Sequence, residues 1–254
     1  MTLRRRVACL WLPTAWPGWA AGADDAAPLR VGWGDYPPFQ IKGPRGPEGL
    51  DVELLELIAH QAGERLRWLR RPWARQLADM THGELDIICS ATPAPEREAI
   101  GRFSQAYRQE RVALMSLVDG APPVSRLAEL KGRGVRIGMI RGAVFPESVR
   151  RELQAHELLS VLQSLHANDL TLQALRQGRV DYVIEDPVSM QYRASKDPGP
   201  PIRVALELAT SPVHLLVALQ ALAQRPALLD RLNQGLQRAR QSPEWQQALA
   251  RRRA

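Results

Sequence analysis

Gly83-Glu84-Leu85-Asp86-Ile87-Ile88-Cys89-Ser90 and Gly178-Arg179-Val180-Asp181-Tyr182-Val183-Ile184-Glu185-Asp186 are the stretches that decide the fold. In each, a glycine stops a helical segment, an apolar run of strand length follows, and polar residues stand where the run ends. Working outward from the first, Trp73 to His82 is spaced as a helix and Arg65 to Leu69 reads as a strand. Before them, Val52, Leu54, Leu55, Leu57, Ile58 and Ala62 recur at helical spacing up to Gly63. Leu29 to Trp33 is a short apolar run, and the prolines of Asp35-Tyr36-Pro37-Pro38 end it. Two β-α-β units therefore precede residue 90.

The pattern restarts after Pro122-Pro123. Val135 to Ile140 reads as a strand, Gly142 as a turn, 146–155 as a helix, and 158–165 holds a further strand. A helix over 169–177 ends at Gly178, Val180 to Ile184 is a strand, and another helix begins near Asp186. Alternating strands and helices predict an α/β fold of parallel sheets covered by helices, built as two lobes of like construction without an exact repeat. Ile202 to Leu206 and Val213 to Leu219 read as two strands, followed by a helix over 226–240. The apolar stripe of that helix, Leu228, Leu229, Leu232, Leu236 and Ala239, must pack on something. The division expected is 27–117 and 210–254 in one lobe and 118–209 in the other, with crossings near 117–121 and 208–212.

Charge and composition exclude several classes of function. Arg4-Arg5-Arg6, an apolar stretch to about Trp19 and the small residues Ala21-Gly22-Ala23 read as an export signal over residues 1–23. Its removal lowers the formal charge of +7 by three and places the protein in the periplasm. The cysteine of that segment, Cys9, follows Arg6 too closely for lipid attachment. With Cys89 then alone, no intramolecular disulfide forms. The basic residues are dispersed apart from Arg251-Arg252-Arg253, so no nucleic acid is expected as a partner. The usual catalytic and phosphate-loop motifs are missing, and the histidines at 60, 82, 156, 166 and 214 have no metal-ligand spacing. No catalytic residue, metal or cofactor is expected, and the protein is read as not an enzyme.

A series of short motifs in order along the chain resembles the polar amino-acid-binding family of periplasmic solute-binding proteins. They are Tyr36-Pro37-Pro38-Phe39, Gly49-Leu50-Asp51-Val52-Glu53-Leu54, Pro72-Trp73, Gly83-Glu84-Leu85-Asp86, Thr92-Pro93-Ala94-Pro95-Glu96-Arg97 and Phe103-Ser104-Gln105-Ala106-Tyr107. In the second block, Leu130-Lys131-Gly132, Arg141-Gly142 and Gly178 to Asp186 continue the series. The resemblance implies the type II periplasmic-binding fold: two lobes, each a mostly parallel sheet flanked by helices, joined by a two-strand hinge and closing over a small ligand.

The resemblance also implies a site. Arg97 matches the arginine that clamps the ligand's carboxylate, and its forked guanidinium suits that role. As a clamp it is expected to face solvent until ligand arrives; the competing reading pairs it with Glu98 or Glu110 on the surface. Ser90 and Thr92 match secondary carboxylate contacts, through hydroxyls or backbone amides. Asp186 matches the acid that receives the ligand's ammonium, although Asp186-Pro187 also suits a helix cap; Glu185 competes for the role. Tyr36, Phe39 and Trp73 are candidate apolar walls. Gly142-Ala143-Val144 stand where relatives carry hydroxyl residues, leaving backbone donors only. Arg75 adds a positive group beside the cleft or else faces solvent on its helix. The expected function is capture of a carboxylate-bearing ligand, an amino acid or related compound, by a monomer that docks on an inner-membrane ABC permease. The alternatives are an enzyme on the same scaffold, resembling cyclohexadienyl dehydratases and using Glu185, and a partner that presents its ligand to a sensor receptor.

Overall fold

The computed structural model describes residues 27–166 and 169–251. The expected export segment and the end of the basic tail at 252–254 lie outside the described residues.

The chain opens with β1 (Leu29–Trp33), the short pair β2 (Ile41–Lys42) and β3 (Pro47–Glu48), and α1 (Leu50–Ala62). Gly63 ends α1 in the left-handed conformation, at φ 70°, where its amide bonds back to the last turn. Then come β4 (Leu66–Arg70), α2 (Trp73–Thr81), β5 (Ile87–Ala91), the single turn α3 (Pro95–Glu98) and β6 (Gly101–Phe103). The ten-residue β7 (Arg108–Leu117) leads away from this group. The second group is β8 (Ile137–Ile140), α4 (Glu147–Ala155), β9 (Leu162–Leu165), α5 (Asp169–Arg176), β10 (Tyr182–Glu185) and α6 (Pro187–Lys196). β11 (Ile202–Ala218) returns, and α7 (Leu219–Gln224), α8 (Leu228–Ala239) and α9 (Pro243–Ala250) close the chain.

The main sheet runs β4-β1-β5-β11-β7-β10-β8-β9, with β6 also paired to β11. β1 pairs in parallel with β4 and β5, and β8 in parallel with β9 and β10. Within this sheet antiparallel pairing is confined to β7 and β11 and their partners, and β2 and β3 form a separate antiparallel pair. The core divides accordingly. One cluster joins Val31, Leu54 and Ile87 to Leu215, Leu232 and Trp245. Two others cover the two faces of the second group's strands. Alternation makes this legible residue by residue: Leu114 packs into one cluster, Ala113 and Met115 into the other; Tyr182 and Ile184 face one way, Val183 the other.

Both groups also share an edge device. Asp86 accepts from the Arg30 amide at 2.7 Å and from its guanidinium at 3.0 and 2.7 Å. Asp181 does the same for Arg136 at 2.7, 3.1 and 2.8 Å.

Two expectations about the crossings need correction. The first crossing lies at 108–112, not 117–121, because Tyr107 belongs to the first core and Ala113 already to the second. Gly120, Pro122 and Pro123 end a strand already inside the second lobe. The two strands expected at 202–206 and 213–219 are one, β11, of 17 residues. Its register slips between Val204 and Leu206 and again between Glu207 and Ala209, and these bulges break the two-residue alternation. Residues up to Val213 pair with β7, while His214 to Val217 pair with β5. β7 and β11 thus form the two-strand connection. The terminal stripe packs on α1, where Gly235 approaches so closely that a Cβ would lie 2.5 Å from the Ile58 carbonyl oxygen. No described helix is long and apolar enough to cross a membrane.

Candidate functional site

A cleft of about 520 Å³ lies between the two groups of strands. Its walls are the C-terminal ends of β1, β5, β8 and β10, the start of α2, and the middle of β7. Open α/β sheets bind ligands at such strand ends.

Arg97 follows Pro95, which starts α3 at its first position. It is only 3% exposed. Nη1 donates to the Thr92 carbonyl at 2.7 Å and Nη2 to the Gly142 carbonyl at 3.0 Å. Nε has no hydrogen-bond partner, and no carboxylate pairs with Arg97 among the described residues. Burial pulls its pKa down to about 10, with Glu96 and Glu110 pushing the other way. It therefore keeps its charge at neutral pH. The surface pairing with Glu98 or Glu110 does not form, and the side chain is enclosed where solvent exposure was expected. The physical reason is Trp73, whose ring lies 5.1 Å from the guanidinium, together with the second lobe's Gly142.

Gly142 is the link across the cleft. Its carbonyl accepts from Arg97 and, at 2.9 Å, from Trp73 Nε1, so two first-lobe side chains meet one second-lobe oxygen. Its φ of 78° is a conformation glycine adopts freely. Ala143 and Val144 line the cleft beside it, and the Ala143 amide is used in the turn, donating to Ile140 at 3.0 Å.

Behind the first lobe's wall sits a buried ion pair. Asp51, from the first turn of α1, accepts from Arg108 Nε at 2.6 Å and Nη2 at 3.1 Å. Ser90 donates its hydroxyl to Asp51, and its amide donates to the Tyr107 hydroxyl at 3.0 Å. Both Ser90 groups expected to reach ligand are therefore engaged within the protein. Ser90 holds a φ of 54°, a strained backbone for serine, at the wall of the cleft. Phe39 is a further correction. It is 7% exposed and lies beneath the Arg108 guanidinium, 4.0 Å away, so it supports the ion pair and does not line the cleft.

The second lobe contributes Asp186, the cap of α6. Oδ1 accepts from Val188 at 2.7 Å and Ser189 at 3.3 Å, and Oδ2 from the Arg111 amide at 3.0 Å. Burial raises its pKa against these bonds. The capping role is thus real, and Oδ2, with one donor, keeps acceptor capacity on the cleft wall. Glu185 is tied down: Thr171 donates to it at 2.6 Å and Arg193 pairs with it. Arg75 is on the solvent side of α2, paired with Asp79 at 2.5 Å and near Glu84 at 3.7 Å. Tyr36, Trp73, Thr92 and Arg97 do line the cleft with Ala143, Val144 and Asp186.

Glu110 was not expected in the cleft. It lines the cleft from β7 and accepts a hydrogen bond from the Tyr36 hydroxyl. Burial raises its pKa to about 7; Arg108 and Tyr36 lower it, while Asp186 and Asp51 add to the rise. Arg108-Gln109-Glu110-Arg111 carries no apolar residue, so no strand pattern marks the acid there. Arg70, Arg71, Arg111 and His166 also reach the cleft unannounced. Among the described residues no group of acids, histidines and cysteines is arranged for a metal.

These features define a two-lobed α/β binding protein with a charged cleft between its lobes. The family model of bacterial extracellular solute-binding proteins, family 3, matches residues 29–251, and the chain belongs to that family. It is 29% identical over 167 residues to the arginine-binding extracellular protein ArtP of Bacillus subtilis, which covers 64% of this chain and 62% of that protein. It is 23% identical over 174 residues to the cyclohexadienyl dehydratase of Pseudomonas aeruginosa, covering 67% and 63%. The matched region thus spans about three-fifths of the length of each of these curated relatives. A histidine kinase sensor domain with similarity to periplasmic binding proteins superposes with a TM-score of 0.77 at 21% identity, covering 90% of this chain and 96% of that one.

Proposed function

We propose that the protein is an exported, monomeric receptor that closes over a free amino acid and delivers it to an inner-membrane ABC importer. One observation carries the reading: Arg97 is charged, 3% exposed and without an acid partner among the described residues. A buried charge costs several kcal/mol unless it is paired. A ligand carboxylate is the partner that fits a guanidinium fork aimed at a cleft. Asp186, on the opposite wall, takes the ammonium through Oδ2, and Trp73 and Tyr36 cover the apolar part.

Closure follows from the same groups. The bonds of Trp73 and Arg97 to the Gly142 carbonyl require the lobes to be together, so the carboxylate site is complete only in the closed form. The name of the arginine-binding relative supports an amino acid as ligand. Glu185, the acid the sequence offered for a dehydratase, is held by Arg193 and Thr171. The structural likeness to a kinase sensor domain keeps ligand presentation to a sensor as the second reading.

A thermal-shift screen against the free amino acids tests the proposal. A true ligand at 100 times its dissociation constant stabilises the fold by about 2.7 kcal/mol. Arg97→Ala should lower affinity for that ligand by about 30-fold or more, corresponding to the ~2–5 kcal/mol typical of breaking a buried charge pair. Unchanged affinity would refute the clamp.

A further inference from the structure

We propose that Glu110, with the Tyr36 hydroxyl, forms a second cation-binding position in the cleft, so that the ligand is a cationic amino acid and not a simple zwitterion. This rests on the proposed capture of an amino acid by Arg97 and Asp186.

The argument is a count of charges left over at the cleft. Arg71 is bonded to Asp79 at 3.1 Å, Arg70 is paired with Asp35, Arg111 with Glu207, and Glu185 with Arg193. Behind Glu110, Arg108 is spent on Asp51 in a two-point contact. What remains is one cation, Arg97, and two acids, Glu110 and Asp186, none of them in an ion pair among the described residues. The Arg97 Nε lacks any hydrogen-bond partner in the same enclosed space. One carboxylate satisfies Arg97, one ammonium satisfies Asp186, and a second positive group pairs with Glu110 in its ionised form. An α-amino acid with a positively charged side chain supplies all three in one molecule.

The second position also couples to protons. Glu110 sits near neutrality because it is buried and shares the region with Asp186 and Asp51, against the opposing influence of Arg108 and Tyr36. Tyr36 stays protonated, its own pKa pushed well up by burial and by Glu110 and Asp186, so it donates in both states of Glu110. Arg111 is drawn to Glu207 on the neighbouring strand, and His166 stands beside Arg141 at 3.3 Å. A side-chain cation arriving at Glu110 lowers its pKa and expels its proton. Affinity for a cationic ligand therefore falls as pH drops below about 7.

Isothermal titration with L-arginine and L-lysine, against their neutral counterparts L-citrulline and L-norleucine, tests this in the wild-type chain. At least one cationic amino acid should bind 10-fold or more tighter than its counterpart. In buffers of different ionisation enthalpy at pH 7, its binding should release protons while the neutral compound releases none. Glu110→Gln should shrink the cationic preference towards parity and remove the pH dependence between 5.5 and 8. If that variant fails to fold, the wild-type proton release decides alone. Neutral amino acids binding as tightly as cationic ones, with Arg97→Ala still abolishing them, would overturn the second position and leave the amino-acid receptor standing. Failure of every amino acid to bind would overturn both.

Discussion

Glu110 makes a demand on stability that ligand-free protein should reveal. A carboxyl whose folded pKa is raised from 4.5 to about 7 holds its proton in the native state at pH values where the unfolded chain has lost it. The native state then binds more protons, so stability is greatest below about pH 4.5 for this group and declines as pH rises to about 7. The full shift corresponds to an upper bound of about 3 kcal/mol, reduced by the partial exposure of the side chain. Glu110→Gln should flatten the decline, measured by urea unfolding of both proteins at pH 5 and pH 7.5. Parallel losses in the two would show that Glu110 does not titrate there. At this scale the sequence was informative where a residue's type and its place just after a strand, at the start of a helix, both spoke: Arg97, Trp73 and Asp186 all line the cleft. It offered Glu110 only as a surface partner for Arg97, and it misdirected on Arg75. At 100° per residue, Arg75 lies about 200° around α2 from Trp73, so neighbours in a motif point to opposite sides. Phe39 failed for a related reason: an aromatic near a cleft can serve the wall from behind, and Arg108 claims its face.

Elements were easier to read than residues because their signals repeat. Glycine stops, apolar runs and helical spacing each recur along α1, α2, β5 and β10, and the structure has those elements within a few residues of where the periodicity puts them. The long strands were harder, since polar residues at a crossing and two bulges erase the alternation that marks a strand. Gly235 shows what spacing cannot convey. In an exposed helix, glycine to alanine gains about 1 kcal/mol. Here the new Cβ would lie 2.5 Å from the Ile58 carbonyl oxygen and 3.1 Å from Ala62, both backbone or short side-chain neighbours that cannot swing away. The helices must separate, at a cost of about 1–3 kcal/mol by the usual penalty for overpacking, which exceeds or cancels the propensity gain. Gly235→Ala should lower the melting temperature by up to several degrees; an increase would mean that α8 does not pack on α1 as closely as described.

For the molecule as a whole, the two-lobed α/β fold was legible in the alternation of elements, while the position of the connection was not. β7 and β11 pass between lobes as continuous strands, and only the change of core partners, from Tyr107 to Ala113 and from Ala209 to Val213, marks the passage. β7 brings Glu110 and Arg111 to the cleft, so the connection and part of the proposed site are the same segment of chain. In the proposed function, ligand capture and lobe movement are one event, in which closing completes the set of groups around the carboxylate. The most direct measurement of the central claim compares, by isothermal titration, the amino acid that best stabilises the protein with its decarboxylated amine. With Arg97 holding the carboxylate, the amine should bind at least 30-fold more weakly, in line with the ~2 kcal/mol or more lost with a charge-assisted buried contact. An amine that binds as tightly as the amino acid would contradict the account.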